Sequence, residues 1–515
     1  MQSLNTTSTS MPVARRVSRF YADPGRLVAV MLAIAAVLSM IMAMIAAIND
    51  QPQLWSGPPD EYLHRGAARY YEDQWLPPKV GTKATLDSYS RDYGFSYLND
   101  TDPVYLLAGK FARLTGALFS RDDLAFRAFD ALLLAVLAAL CAWRPRSWLV
   151  FAPLLLTPQI WYIFSYFNGD AFPLFVSMLI AYQVAVPESL FNRYLDAPGV
   201  LRRIIGIVPL AAAIALVALS KKNYYVFLAF IPAAFALLRF GPVVAACMAS
   251  AVLVGATAYL KWIILGVREI AAVLVTYGIV AFVAVATDPV QRAERTRIVV
   301  KCAAMILIAT MLVVWRYWLD VEVQGSLEAK NAAIGTVQEQ LAKPDYKPSH
   351  IYGGNPETFR GFTLRWRGVP LAELFEPPWN WHKAMFLSST GHYGWLELRS
   401  PTPYYVLLGA AYAVLILYLT VRVARSRDGT AWVGFGLLLT FAALCVGISL
   451  WHAWENDFQA QGRYLFPIAA MLGVFLHTIR RHLNPKWMLA IVGCCFLLSA
   501  YSFVFTGLWD IPKRF

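Results

Sequence analysis

Runs of about 20 apolar residues recur along the whole chain, and each is long enough to cross roughly 30 Å of hydrocarbon. Of the 515 residues, 58% are hydrophobic and only 15% charged, against about half and about a quarter in soluble domains. A soluble enzyme, a disordered chain and a disulfide scaffold are thereby excluded. The runs predict an all-α polytopic membrane protein with spans at 27–48, 126–143, 147–165, 170–186, 204–219, 224–238, 242–265, 270–286, 298–319, 403–421, 430–450, 464–479 and 486–505. The short pair 204–219 and 224–238 reads equally as broken helices or one hairpin, so twelve to fourteen spans fit around a best count of thirteen. The first run is too long for a signal-peptide core and reads as an uncleaved anchor.

The net charge of +13 needs no nucleic-acid partner. Loops on the cytoplasmic side collect Lys and Arg, and anionic membrane lipids reward this. With the N-terminus inside, the short inner segments hold Arg15, Arg16, Arg19, Arg26, Arg144, Arg146, Arg193, Arg202, Arg203, Arg239, Arg292, Arg295, Arg297, Arg422, Arg425, Arg427, Arg480, Arg481 and Lys486. The short outer ones hold only Lys221, Lys222, Arg268, Arg463, Lys513 and Arg514. This orientation divides the chain into a cytoplasmic segment (1–26), a membrane module (27–319) bearing a first outer loop (49–125), a second outer loop (320–402) and a closing membrane module (403–515). The polar mass then lies outside, and so does any active site. No internal repeat of the kind common in transporters is visible. Cys141, Cys247, Cys302, Cys445, Cys494 and Cys495 all fall in apolar runs without metal-ligand spacing. They read as buried free thiols, with no disulfide and no structural zinc.

The first outer loop carries Gly57-Pro-Pro-Asp60-Glu61-Tyr-Leu-His64-Arg65. The prolines suit a helix start, and the dipole there favours Asp60 and Glu61. As ordinary first-turn charges, these would include a Glu61–Arg65 pair at i,i+4. As carboxylates at the membrane boundary they are costly and mark a functional site. His64, one turn on, could orient Asp60 or share a divalent metal with it, though the spacing demands none. Asn168-Gly-Asp170 reads as a turn at the same level, which could line the same pocket. Lys221 and Lys222 break the inner-side pattern, either as snorkelling interfacial side chains or as phosphate ligands. Arg463, at the mouth of a span, needs a partner at that depth: a phosphate, or Asp457 or Glu455. In the second loop, 320–342 reads as an amphipathic helix. The aromatic stretch 359–399, with His382, His392, Trp395 and Glu397, suits an interfacial belt or sugar stacking. No P-loop, dinucleotide fingerprint, zincin motif or nucleophile elbow is present.

The Pro59-Asp60-Glu61-x-x-His64 element resembles a signature of the multi-pass family known as domain-of-unknown-function family 2142. Phe167-Asn168-Gly-Asp170-Ala171, Leu219-Ser220-Lys221, Gly391-His-Tyr-Gly-Trp395-Leu396 and Gln461-Gly-Arg463-Tyr464-Leu-Phe-Pro467 are similar to its later landmarks, in the same order. The resemblance covers about 55–470. That family is similar in layout to the GT-C glycosyltransferases. These membrane enzymes carry an essential acidic residue in a first outer loop and take sugar from a polyprenyl-phosphate carrier. The resemblance implies Asp60 as catalytic base with Glu61 and His64 beside it. Lys221 or Lys222, together with Arg463, would hold the carrier phosphate. Asp170, Tyr464, His392 and Trp395 would line the substrate pocket. Two lysines stand where the family usually has one, and 389–395 departs from the more phenylalanine-rich family pattern. The expected partners are a polyprenyl-phosphate-linked sugar, a glycan or glycolipid acceptor and membrane lipids. The rival readings are a transporter or flippase for lipid-linked sugars, or a non-catalytic envelope scaffold.

Overall fold

The computed structural model describes residues 24–48, 60–119, 121–261, 278–280, 282–283, 292–352, 363–365, 367–394, 396–456 and 458–510. Backbone polar groups in hydrocarbon must be satisfied internally, which leaves helices as the natural form for these apolar runs. The principal helices are α1 (Pro24–Ile48), α2 (Glu61–Asp73), α3 (Val104–Thr115), α4 (Asp122–Trp143), α5 (Ala171–Ala185), α6 (Val208–Leu219), α7 (Tyr225–Phe240), α8 (Arg292–Gln324), α9 (Leu327–Leu341), α10 (Trp381–Thr390), α11 (Thr402–Ser426), α12 (Gly429–Glu455), α13 (Pro467–Thr478) and α14 (Pro485–Ser502). The β structure among the described residues is a short hairpin, β1 (His392–Tyr393) against antiparallel β2 (Leu398–Arg399), and an isolated antiparallel bridge between Tyr89 and Ser96.

Eight helical segments among the described residues are long and apolar enough to cross a membrane; they run along α1, α4, α5, α7, α8, α11, α12 and α14. The chain is an all-α membrane protein. The other expected spans take different forms. Residues 147–165 are broken: Trp148–Phe151 leads into a 3-10 turn at Ala152–Leu155, and Pro158–Ile163 follows. Pro153 and Pro158 cause the break. A proline removes a helix donor, and Thr157 before Pro158 is forced extended (φ −145°, ψ 139°). The helices α6 and α13, at 12 residues each, span only about 18 Å. Span 242–265 is helical from Pro242 to Lys261, and most of 270–286 lies outside the described residues. The helix expected to end at 319 runs further: α8 continues to Gln324, Gly325 turns the chain at φ 88°, and Ser326 caps α9.

One continuous core joins α1, α4, α5, α7, α13 and α14, with Phe126, Leu134, Phe151, Trp161, Phe227 and Met471 wholly buried. Three of the six cysteines (Cys141, Cys445 and Cys495) are buried, and all six are free thiols. Cys247 and Cys494 are exposed on the bundle surface rather than buried as expected, because one face of each apolar helix points away from the protein. The two long connections meet at the same end of the bundle. Lys343 pairs with Asp92, the Gln324 amide donates to the Pro78 carbonyl at 2.8 Å, and the Gln338 amide donates to the Tyr93 carbonyl at 3.2 Å.

Candidate active site

The polar centre lies where α1 ends and α4, α5, α7 and α13 begin. Asp60 occupies the N-cap position of α2 in a left-handed conformation (φ 58°, ψ 7°), and its side chain takes no part in capping. Aspartate tolerates this region better than most residues, and such strain gathers at functional sites. Pro58 and Pro59 lie outside the described residues. Burial pushes the half-buried Asp60 carboxyl above its ordinary value, against the pull of Arg463 and Lys221 and with a further push from Asp170.

Beneath it, Asp170 is completely buried. One of its oxygens, Oδ2, receives Lys221 Nζ at 2.8 Å and Arg463 Nη1 at 3.2 Å. Its Oδ1 is buried without a hydrogen-bond partner among the described residues. Burial works to raise this carboxyl, but the two cations outweigh it and hold Asp170 below the usual value. The turn before it is built by Asn168, whose side-chain oxygen accepts from the Asp170 and Ala171 amides at 2.7 and 3.1 Å, so the expected Asn-Gly-Asp turn doubles as the cap of α5. Gly169 gives Lys221 its path: a Cβ there would lie 2.9 Å from Lys221 Cε and 3.3 Å from the Tyr105 hydroxyl. Arg463 is delivered by a 3-10 turn pressed onto the end of α10. Only glycine fits before it, because a Cβ on Gly462 would lie 2.3 Å from Ser389 Cα.

Glu61 does not pair with Arg65. Its two oxygens take Arg127 Nε and Nη2 at 2.7 Å each, and Oε1 also accepts the Phe167 amide at 3.1 Å. Arg65 instead lies 3.8 Å from Asp123. Helical geometry explains the swap: Glu61 is on the buried face of α2, with Leu63, His64, Ala67, Ala68 and Tyr71. It therefore meets the arginine that α4 buries.

His64 does not orient Asp60 through its ring. Its Nδ1 is 2.8 Å from the Tyr105 hydroxyl and the ring stacks on Tyr97 at 4.0 Å. Its Nε2 is buried without a partner among the described residues. Burial, then Lys221 and Arg463, drive its pKa well below the ordinary histidine value, so the ring is neutral. Among the described residues no three His, Cys, Asp or Glu side chains are grouped to hold a metal.

The remaining expected residues separate. Lys221 enters the cluster while Lys222 stays exposed. Arg463 is partnered by Asp170. Glu455 goes instead to Arg365 at 2.7 Å, and Asp457 lies outside the described residues. Tyr464 donates to Gln459 at 2.6 Å, with its ring 5.9 Å from the Arg463 guanidinium. His392 sits in β1, its Nε2 accepting from Arg399 at 3.1 Å and its amide donating to Gln159. Desolvation, then Arg399, lowers its pKa to about 4. Two residues on, the Gly394 amide donates to the Tyr162 hydroxyl at 3.0 Å, and the Tyr162 and Tyr166 rings are 4.9 Å apart. Trp395 lies outside the described residues.

Arg127 and Asp130 were not picked out from the sequence. Asp130 is completely buried and its Oδ2 accepts the Asn168 amide at 3.1 Å. Both are ionisable residues inside an apolar run, which is the signal that could have found them. Comparisons with protein-family models, curated proteins and solved structures give no match for this chain.

Proposed function

We propose that this chain is an integral membrane glycosyltransferase of the GT-C type. It moves a monosaccharide from a polyprenyl-phosphate carrier to a cell-envelope glycan or lipid-linked acceptor, on the extracytoplasmic face of the cytoplasmic membrane. The Lys/Arg asymmetry of the short loops between the expected spans supports that orientation. The observation that carries the reading is the pairing of functions at one end of an apolar bundle. Asp60 is a half-buried carboxylate that holds its proton more tightly than usual, and Lys221 and Arg463, both partly open to solvent, stand beside it.

In this reading the cations receive the carrier phosphate and the prenyl chain runs along the apolar helices. The acceptor hydroxyl attacks the anomeric carbon while the bond from that carbon to the phosphate oxygen breaks. The bonding pair leaves with the phosphate, and the hydroxyl proton passes to Asp60. Direct displacement inverts the anomeric centre. The base contributes about 10²–10⁴-fold, and the raised affinity of Asp60 for a proton moves it toward the pKa that suits this role. The phosphate leaves as an anion and needs no strong acid.

The transporter alternative calls for charges along a path through the membrane. The described buried charges gather instead at the Asp60 end, apart from Lys301. That residue caps the carbonyls of Tyr194, Leu195 and Ala197, about 22 Å along α8 from Arg316. The test is mass spectrometry of envelope glycans and polyprenyl-phosphate sugars in a strain lacking the gene. The reading expects one sugar missing from an envelope glycan and its carrier-linked form accumulating. Unchanged glycans with no accumulated donor would contradict it.

A further inference from the structure

We propose that Asp170 is a resident competitor for Lys221 and Arg463, limiting how tightly the pair holds a phosphate so that the carrier phosphate can leave after transfer. The inference rests on the reading of those two cations as the donor-phosphate site. Asp170 engages both through the single oxygen Oδ2, at 2.8 and 3.2 Å. Its side chain is 0% exposed, whereas those of Lys221 and Arg463 are 23% and 11% exposed. The carboxylate is therefore the floor of the site and the cations are its accessible rim. The Asp170 backbone is held by the Asn168 side chain on its amide and by Tyr224 donating to its carbonyl at 3.2 Å, and its fully buried side chain has no path to solvent. For the same reasons it cannot serve as a second general base: no acceptor reaches it, and it is already ion-paired.

The charge balance gives this carboxylate its role. The donor is a phosphodiester with one negative charge. Transfer breaks its bond to the sugar and leaves a monoester carrying roughly −1.5 to −2 at neutral pH. In the same step Asp60 takes the acceptor proton and loses its own negative charge. Two unopposed cations would thus grip the product more strongly than the substrate and stall the cycle. A fixed carboxylate beneath them shares their donors with whichever phosphate is bound, which weakens that grip.

The test is binding of farnesyl phosphate and of inorganic phosphate to the full chain in lipid nanodiscs, comparing wild type with Lys221→Met, Asp170→Asn and Asp170→Asn/Lys221→Met. The double variant keeps the net charge of the cluster, so it remains informative if Asp170→Asn alone does not fold. Lys221→Met is expected to weaken binding. Asp170→Asn should bind about tenfold or more tightly than wild type, and the double variant about tenfold or more tightly than Lys221→Met. The same ordering with both probes places recognition on the phosphate group. An ordering confined to farnesyl phosphate places it on a membrane-anchored ligand; either supports the proposal. A double variant no tighter than Lys221→Met overturns it while leaving the phosphate site intact. Wild type that binds neither probe, or Lys221→Met that binds as well as wild type, overturns the phosphate site and this inference with it.

Discussion

Glu61 and Arg127 form a two-point ion pair at 2.7 Å, with side chains 3% and 1% exposed, and the pair ties α2 to α4 immediately beside Asp60. The Phe167 amide on Glu61 Oε1 extends the bracket to the turn that carries Asp170. Glu61 is thus a positioning residue. Removing one partner of a buried pair leaves an uncompensated charge and costs about 3–5 kcal/mol. Glu61→Gln is expected to lower stability by about that amount, measured by thermal or denaturant unfolding in detergent. Glu61→Gln/Arg127→Met, which removes both charges, should recover much of it. A silent Glu61→Gln would show that the pair does not hold α2 in place.

The membrane class and most helices were legible because long apolar runs carry that information locally. Asp60, Asp170, Lys221 and Arg463 stood out as polar groups at the ends of such runs, and the structure brings three of them into direct contact with Asp60 close by. What was not legible depends on which face of a helix is buried. Glu61 has Arg65 four residues away, yet only the packing of α2 on α4 shows that Arg127 is its partner. The break at Thr157-Pro158 was hidden by the apolar character of 147–165, although the prolines signalled it. His64 lies one turn from Asp60, but Tyr97 and Tyr105, distant in sequence, take its ring.

Gly169 is expected to be intolerant of a side chain. Gly169→Ala places a methyl group 2.9 Å from Lys221 Cε, and the lysine is the softest neighbour. It should give way and loosen its contact with Asp170. The expected outcome is a folded protein with phosphate binding weakened by about threefold to tenfold, the scale of a weakened charged hydrogen bond. Binding equal to wild type would mean that the lysine position is not critical.

The proton on Asp60 links activity to stability. Its folded-state pKa lies above the ordinary 3.8, so the folded state holds the proton more tightly than the unfolded one. Stability therefore falls as pH rises from the ordinary value through the folded one, and ionised Asp60 is a net cost at neutral pH. Asp60→Asn is expected to raise the unfolding midpoint at pH 7, with the gain fading below about pH 4. An unchanged or lowered midpoint would contradict a carboxylate held against its preference. Burial, Lys221 and Arg463 drive the His64 pKa well below its ordinary value, so the loss of turnover expected as falling pH protonates Asp60 should persist in His64→Asn.

The orientation is checked by labelling single cysteines from outside, in a background with the native cysteines replaced by serine. Cysteines at the exposed positions Lys83 and Glu328 should react, and those at Glu294 and Arg427, also exposed, should not. Labelling at 294 would place the site on the cytoplasmic side.

The most direct measurement is transfer from a synthetic polyprenyl-phosphate sugar to an envelope-glycan acceptor by the purified protein, with donor binding followed separately. Wild-type protein is expected to carry out transfer with inversion at the anomeric carbon. Asp60→Asn is expected to lower turnover by about 10²-fold or more without weakening donor binding. Near-normal turnover in Asp60→Asn, or donor binding without transfer by the wild type across sugars and acceptors, would contradict the proposed reaction.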